Sequence, residues 1–340
     1  MIYRSKAPLR IGLAGGGTDV SPYSDQFGGA ILNATISLFA YATIVPNTSG
    51  EILFHSQDRN EIERVPSNIK IEYNGTLDLL KGVYNRIVKD YSLKPLSFEL
   101  HTFVDAPAGS GLGSSSTLVV AIVGAFAEWL KLPLDEYDIA RLAFDIERVD
   151  MNMSGGKQDQ YAATFGGFNF MEFEKDNRVI VNPLKIKSRN IYELENNLIL
   201  YYLGTSRLSS KIIDGQIKNV NSKNAKSIEA MHQLKNQAIQ MKRALLLSEI
   251  DEMGNILHSG WEQKKKMSSG ITNPIIDELY DKAMESGSTG GKISGAGGGG
   301  FMFFYCPANT KYQVIRALKP FQGEIRTIKF VDEGLVTWTV

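Results

Sequence analysis

Pro107-Ala108-Gly109-Ser110-Gly111-Leu112-Gly113-Ser114-Ser115-Ser116 is the stretch on which the reading of this chain turns. Its glycines alternate. They follow Ser97–Val104, whose alternation predicts a strand, and precede Thr117–Leu130, whose almost uniform apolarity predicts a helix buried on most sides. Glycine lets the backbone approach a ligand closely and turn its N–H groups inward, and a helix N-terminus adds partial positive charge. A strand, glycine loop and helix in that order therefore make an anion site, most often for phosphate. The serines add hydroxyl oxygens for phosphate or for a metal. A flexible Gly/Ser surface loop is the plainer alternative, and the apolar helix that the loop opens argues against it.

Working outward, Asp135–Arg148 carries Ile139, Leu142, Ala143 and Ile146 at helical spacing, with Asp135 as the expected N-cap. Glu147 lies near its end, and Asp159 lies beyond Met153-Ser154-Gly155-Gly156-Lys157-Gln158. Two carboxylates beside a phosphate loop have a natural division of labour, one holding a divalent cation and the other accepting a hydroxyl proton. Taken alone, Glu147 reads as a solvated helix residue.

Upstream, Gly12-Leu13-Ala14-Gly15-Gly16-Gly17-Thr18-Asp19 follows Arg10. Flexible backbone between a cation and a carboxylate suits a polar substrate, and an Arg–Asp pair that merely stabilises a turn remains open beside it. Gly295-Ala296-Gly297-Gly298-Gly299-Gly300 matches the dinucleotide pattern Gly-x-Gly-x-x-Gly, but the strand-like Phe301–Tyr305 follows where a helix is required. The run instead suits a close approach to a ligand or a neighbouring loop. A Walker A loop fails as well, since Gln158 and Ile293 follow the two Gly-Lys pairs.

The rest of the chain sets limits. Its 340 residues predict about two domains, with a boundary near residue 185, giving 1–185 and 186–340. In the second half, Ile228 to Leu245 mark an amphipathic helix, and Asn273-Pro274 opens another that stops near Gly287. Strand, helix, strand and strand are expected over Phe301–Tyr305, Tyr312–Leu318, Ile325–Phe330 and Leu335–Val340. Lys plus Arg and Asp plus Glu are 37 each, so the broad basic surface that nucleic acid or an anionic membrane requires is missing and an anion must be met locally. Cys306 is the single cysteine and the four histidines are scattered, which argues against a disulfide and a thiolate- or His-based metal centre. The longest apolar stretch falls short of the ~18 residues a membrane span needs, and the expectation is a cytoplasmic protein.

The three glycine segments in this order resemble the galactokinase, homoserine kinase, mevalonate kinase and phosphomevalonate kinase (GHMP) superfamily. The pattern Pro-x-x-x-Gly-Leu-Gly-Ser-Ser is highly specific for it, and Ser116 stands where alanine is usual. The resemblance implies an α+β fold, with an N-terminal domain of ribosomal-protein-S5 type, a ferredoxin-like C-terminal domain and an active site between them. It further implies that Gly109, Ser110, Gly111, Leu112, Gly113, Ser114, Ser115 and Ser116 wrap the ATP phosphates and that Ser115 and Glu147 bind Mg²⁺. Asp159 would be the base, Arg10 would orient it, and Asp19 with Gly17 and Thr18 would hold the sugar. The variant Gly15-Gly16-Gly17-Thr18-Asp19 is similar to the branch that phosphorylates the anomeric hydroxyl of D-glycero-D-manno-heptose 7-phosphate. A fucose-type kinase, a non-catalytic sugar and ATP sensor and a lyase on the same fold are the alternatives. A sugar phosphate would need a local cation, for which Arg207, in Gly204–Lys211, and Lys157 are the candidates; ordinary solvated charges are the competing reading. The expected partners are ATP and a small sugar phosphate, without nucleic acid or membrane.

Overall fold

Long strands whose side chains are buried on both faces belong in the middle of a sheet, and the first 46 residues supply two of them. In the computed structural model, which describes residues 1–204 and 209–340, β1 (Tyr3–Ala14) is followed by α1 (Tyr23–Phe27) and β2 (Gly29–Pro46). The hairpin β3 (Glu51–Ser56) and β4 (Glu61–Pro66), α2 (Asp78–Asp90), β5 (Phe98–Val104), α3 (Ser114–Leu130) and α4 (Glu136–Asp145) come next. A π-helical turn over Ile146–Asp150 extends α4; then come α5 (Gln158–Phe165), β6 (Phe168–Phe173) and β7 (Val179–Pro183). The second half comprises α6 (Ser188–Asn197), β8 (Leu198–Tyr202), α7 (Ser209–Asn221), α8 (Ala225–Leu247), α9 (Glu252–Lys264), α10 (Pro274–Glu285), β9 (Gly290–Ile293), β10 (Phe301–Tyr305), α11 (Lys311–Leu318), β11 (Glu324–Arg326) and β12 (Val336–Thr339).

The strands form two sheets. One runs β12-β1-β2-β5-β3-β4, with β6 on β2 and β7 on β6; the other is four-stranded and antiparallel, in the order β11-β8-β10-β9. The first sheet draws on strands up to Pro183, and the chain's last strand returns to it, Tyr3 pairing with Thr339. No helix among the described residues is long and apolar enough to cross a membrane. Helix α3 lies against β1 and β2, and its residues from Val119 to Phe126 are buried without exception, the reason its sequence lacks a polar face.

Local signals account for several boundaries. Asp135 accepts from the Asp138 N–H at 2.8 Å while the Asp138 carboxylate accepts from the Asp135 N–H, a capping box that starts α4. Asn273 caps α10 through the Ile276 N–H, with Pro274 in its first turn. The strand expected over Ile325–Phe330 is shorter, since only Glu324–Arg326 pairs with β8 and Phe330 makes an isolated bridge to Ile36.

The third glycine segment is a seam of backbone on backbone. The Phe301 N–H donates to the Ser110 carbonyl at 2.8 Å, joining β10 to the glycine loop. A Cβ on Gly111 would lie 2.3 Å from the Ser294 carbonyl oxygen, and Gly111 holds a φ of +82°. A close approach to a neighbouring loop is thus what the run of glycines permits. Gly111→Ala should cost about 2 kcal/mol or more, from left-handed strain and the clash together. Gly50→Ala, at φ +77° with open space around it, should cost only the strain, about 1 kcal/mol. Chemical denaturation of both variants checks the difference; equal losses would mean that the seam yields.

Candidate active site

The cleft between the two sheets has a volume of about 670 Å³ and is lined from both halves of the chain. Arg10, near the end of β1 and 3% exposed, is the residue that joins its walls. Its Nε donates to Asp159 Oδ1 at 2.8 Å, and an NH2 nitrogen reaches the same oxygen at 2.5 Å. Its NH1 donates to the Gly111 carbonyl at 2.7 Å and lies 3.4 Å from Ser294 Oγ. Both guanidinium contacts fall on Oδ1; Asp159 Oδ2 receives no side-chain donor among the described residues, and Asp159 lines the cleft from the first turn of α5.

The glycine loop presents Gly109, Gly111 and Gly113 to the cleft, each at positive φ, together with Ser114, Ser115 and Ser116. Gly113 is the N-cap of α3 and provides no side chain to its first turn, which leaves the N–H groups there available to an anion. Ser110 and Leu112 behave differently from the expectation. Both are fully buried and absent from the cleft wall; Ser110 lies against β10, and the Leu112 carbonyl accepts from the Arg10 N–H. Alternating positive-φ glycines turn every second residue inward, so these two serve the loop's packing.

Ser115 Oγ donates to Glu147 Oε1 at 3.0 Å. Glu147 is 1% exposed; its other oxygen accepts from Gln160 Nε2 and lies 3.7 Å from Arg148. It is therefore no solvated helix residue: the π-helical turn at the end of α4 rotates it into the cleft. No cluster of three or more His, Cys, Asp or Glu suited to a metal occurs among the described residues. A hydroxyl and a carboxylate meeting beside the glycine loop are an all-oxygen donor set that would fit a magnesium ion completed by the oxygens of a bound phosphate.

Asp19 is 1% exposed, with Oδ2 accepting from the Gln158 N–H at 3.0 Å and Oδ1 buried without a partner. Burial pushes its carboxyl above the ordinary value; the Gln158 N–H opposes this and the charge of Asp159 adds to it. Gln158 Oε1, which lines the same cleft, is a second buried acceptor without a partner. Two such acceptors on hydrogen-bonded residues of one cleft are suited to a ligand rich in hydroxyl donors. A Cβ on Gly156 would sit 1.9 Å from Asp19 Oδ2, so glycine there is what admits the carboxylate.

Gly16 and Gly17 line the cleft, whereas Thr18 does not. Thr18 is fully buried and its Oγ bonds the Gly15 and Ala30 carbonyls, stapling the turn to β2. Lys157 is likewise absent from the wall: it is buried with Nζ 3.5 Å from Asp25, which answers its charge. Arg207 lies outside the described residues. Among the described residues the cations that reach the wall are Arg10, Arg148 and Lys264, and sequence reasoning missed the last two.

A model of the GHMP kinase N-terminal domain matches residues 78–167, and one of the GHMP kinase C-terminal domain matches residues 241–324. The D-glycero-alpha-D-manno-heptose 7-phosphate kinase of Campylobacter jejuni is 48% identical over 337 residues, 99% of each chain. A crystal structure described as a D-glycero-D-manno-heptose 1-phosphate kinase from Bacteroides thetaiotaomicron superposes with a TM-score of 0.85 at 47% identity, covering 99% of both chains. A putative sugar kinase from Campylobacter jejuni does so with a TM-score of 0.83 at 47% identity, covering 100% of this chain and 98% of that one. The protein is a phosphotransferase with the two-domain α+β architecture of these kinases. With that identity along nearly its whole length, and with a glycine loop opening a buried helix beside an Arg-clamped aspartate, the chain belongs to the GHMP kinase family.

Proposed function

We propose that this kinase transfers the γ-phosphoryl group of ATP to the anomeric hydroxyl of D-glycero-D-manno-heptose 7-phosphate. The product would be heptose 1,7-bisphosphate, a precursor of nucleotide-activated heptose. The observation that carries the proposal is the 48% identity, over almost all of both chains, to a kinase named for that substrate. The paired empty acceptors on Asp19 and Gln158 support a polyhydroxylated ligand beside Asp159. The relative from Bacteroides is named for a heptose 1-phosphate, which keeps the position of the phosphate as the question for experiment.

In this reading Asp19 and Gln158 accept hydrogen bonds from sugar hydroxyls and fix the acceptor. Asp159 Oδ2 takes the proton of the attacking sugar hydroxyl as the hydroxyl oxygen bonds to the γ-phosphorus and the bond from phosphorus to the ADP oxygen breaks. Arg10 keeps Oδ1 occupied and so sets which carboxylate oxygen acts as base. The N–H groups from Gly109 to Ser116 hold the phosphates, and Ser115 with Glu147 would hold the metal. Magnesium, when bound, supplies positive charge against the charge of the transferred group.

ADP release from the purified protein, measured with heptose 7-phosphate, heptose 1-phosphate, free heptose and fucose, tests the substrate. A kcat/KM for heptose 7-phosphate at least tenfold above the others is expected, and a preference for fucose or heptose 1-phosphate overturns the reading. Asp159→Asn should lower kcat by about 10²–10⁴-fold, the usual worth of a general base. Mg-ATP affinity, measured by calorimetry, should stay within a few-fold, and near-normal turnover would remove Asp159 from the role. Glu147→Gln should raise the Mg²⁺ concentration for half-maximal activity on the order of tenfold. An unchanged Mg²⁺ dependence would reduce Glu147 to a partner of Ser115 and Gln160.

A further inference from the structure

Lys264 and Lys292 are buried lysines with no carboxylate in ion-pair contact among the described residues. They are 3% and 4% exposed. Lys264 ends α9 and lines the cleft, with Nζ donating to the Gly295 carbonyl. Gly295 in turn packs against Gly111, the residue whose carbonyl Arg10 holds. Lys292 on β9 stands behind the Gly15–Gly17 turn: a Cβ on Gly16 would lie 3.9 Å from its Nζ. Arg10 and Lys264 thus bring two basic groups to one end of the cleft wall, with Lys292 buried behind it, against Asp159, already paired with Arg10, and Asp19. Charge on buried basic groups so placed is costly in the empty cleft and is favoured when an anion arrives to meet it.

We propose that Lys264 is a phosphate-binding residue of the cleft, donating to an oxygen of the phosphoryl group in transit opposite Arg10. The seam argues for this end of the cleft, because Lys264 and Arg10 hold neighbouring residues, Gly295 and Ser294, where these meet the phosphate loop. The sugar's own phosphate offers the same chemistry, and acceptors with and without it separate the two sources. The proposal rests on the kinase activity and not on which sugar is used.

The charge on Lys264 is poised to titrate. Burial pushes its ammonium down to about 8, Arg10 adds to the fall and Asp19 opposes it; Lys292 lies well below its ordinary value through burial and through repulsion by Lys264 and Arg10. Lys264 is therefore charged below about pH 8 and neutral above it. A bound phosphate favours the charged form, so phosphate affinity should fall as the pH rises through this range.

Inorganic tripolyphosphate, titrated calorimetrically into the wild type, Lys264→Met and Lys264→Arg, reads the site without any sugar. Lys264→Met should bind it about ten- to a hundredfold more weakly, the loss of one charge-assisted hydrogen bond. Lys264→Arg should recover most of that affinity. Between pH 7 and pH 9 the wild type should lose affinity relative to Lys264→Met. In turnover, a kcat loss in Lys264→Met shared by heptose 7-phosphate and free heptose assigns the residue to the transferred phosphoryl group. A KM rise confined to heptose 7-phosphate assigns it to the sugar's phosphate and overturns the placement opposite Arg10. Tripolyphosphate affinity and kcat within threefold of wild type in a folded Lys264→Met overturn the proposal outright. If the wild type turns over neither heptose, the substrate reading fails, and the tripolyphosphate result still decides the role of Lys264.

Discussion

The architecture of the cleft depends on one buried guanidinium. The guanidinium of Arg10 is removed from water, so its donors must be satisfied from within the protein. Its donors are shared among Asp159 on α5, the Gly111 carbonyl in the loop before α3, and Ser294 beside β9. Those three partners come from three distant parts of the chain. Planar donors fixed in direction place Asp159, the glycine loop and the glycine seam in one relation. A lysine would supply a point charge without that geometry.

Around this clamp the backbone performs work that side chains do elsewhere. Gly111 meets Ser294, Gly300 meets Ser110 and Gly156 meets Asp19, each at a separation that a Cβ would close. The closeness serves two ends. It brings the second half of the chain against the phosphate loop without intervening side chains, and it keeps N–H groups and carbonyls, which carry no net charge, as the lining. Charge can then be supplied at a few points only, which is how a chain with 37 cationic and 37 anionic residues forms a site for highly charged ligands.

Much of this was legible in the sequence because it is local. The strand, loop and helix around Gly109–Ser116 appear where alternation and apolarity put them, and the caps at Asp135 and Asn273 act as their residue types require. What failed to show depends on neighbours remote in sequence. Strand β1 carries Lys6, Pro8 and Arg10, and it is a strand because β2 and β12 flank it and α3 covers it. Thr18 and Lys157 have the chemistry of substrate ligands, yet the carbonyls of Gly15 and Ala30 and the carboxylate of Asp25 already engage them. Glu147 ran the other way: its helical position suggested solvent, and the π-helical turn carries it inward.

Lys264 shows where a finer reading of the same sequence leads. In Lys264-Lys265-Lys266 the three side chains are alike in type, and a charge run at a helix end reads as a solvated face that complements the helix dipole. Their helical phase differs. Met253, Leu257 and Trp261 are buried at intervals of four, and Lys264 continues that stripe one turn after Trp261, while Lys265 pairs with Glu262 and Lys266 is exposed. A lysine in core register has two outcomes open to it: it snorkels to water or it faces a polar cavity inside the protein. Lys264 stands at the last turn of α9, where the seam opens into the cleft, so its four-carbon stem can pack with the core while its ammonium reaches the Gly295 carbonyl at the wall. The phase of the stripe together with the glycine run that α9 packs beside thus identifies which of three identical residues is turned toward the cleft.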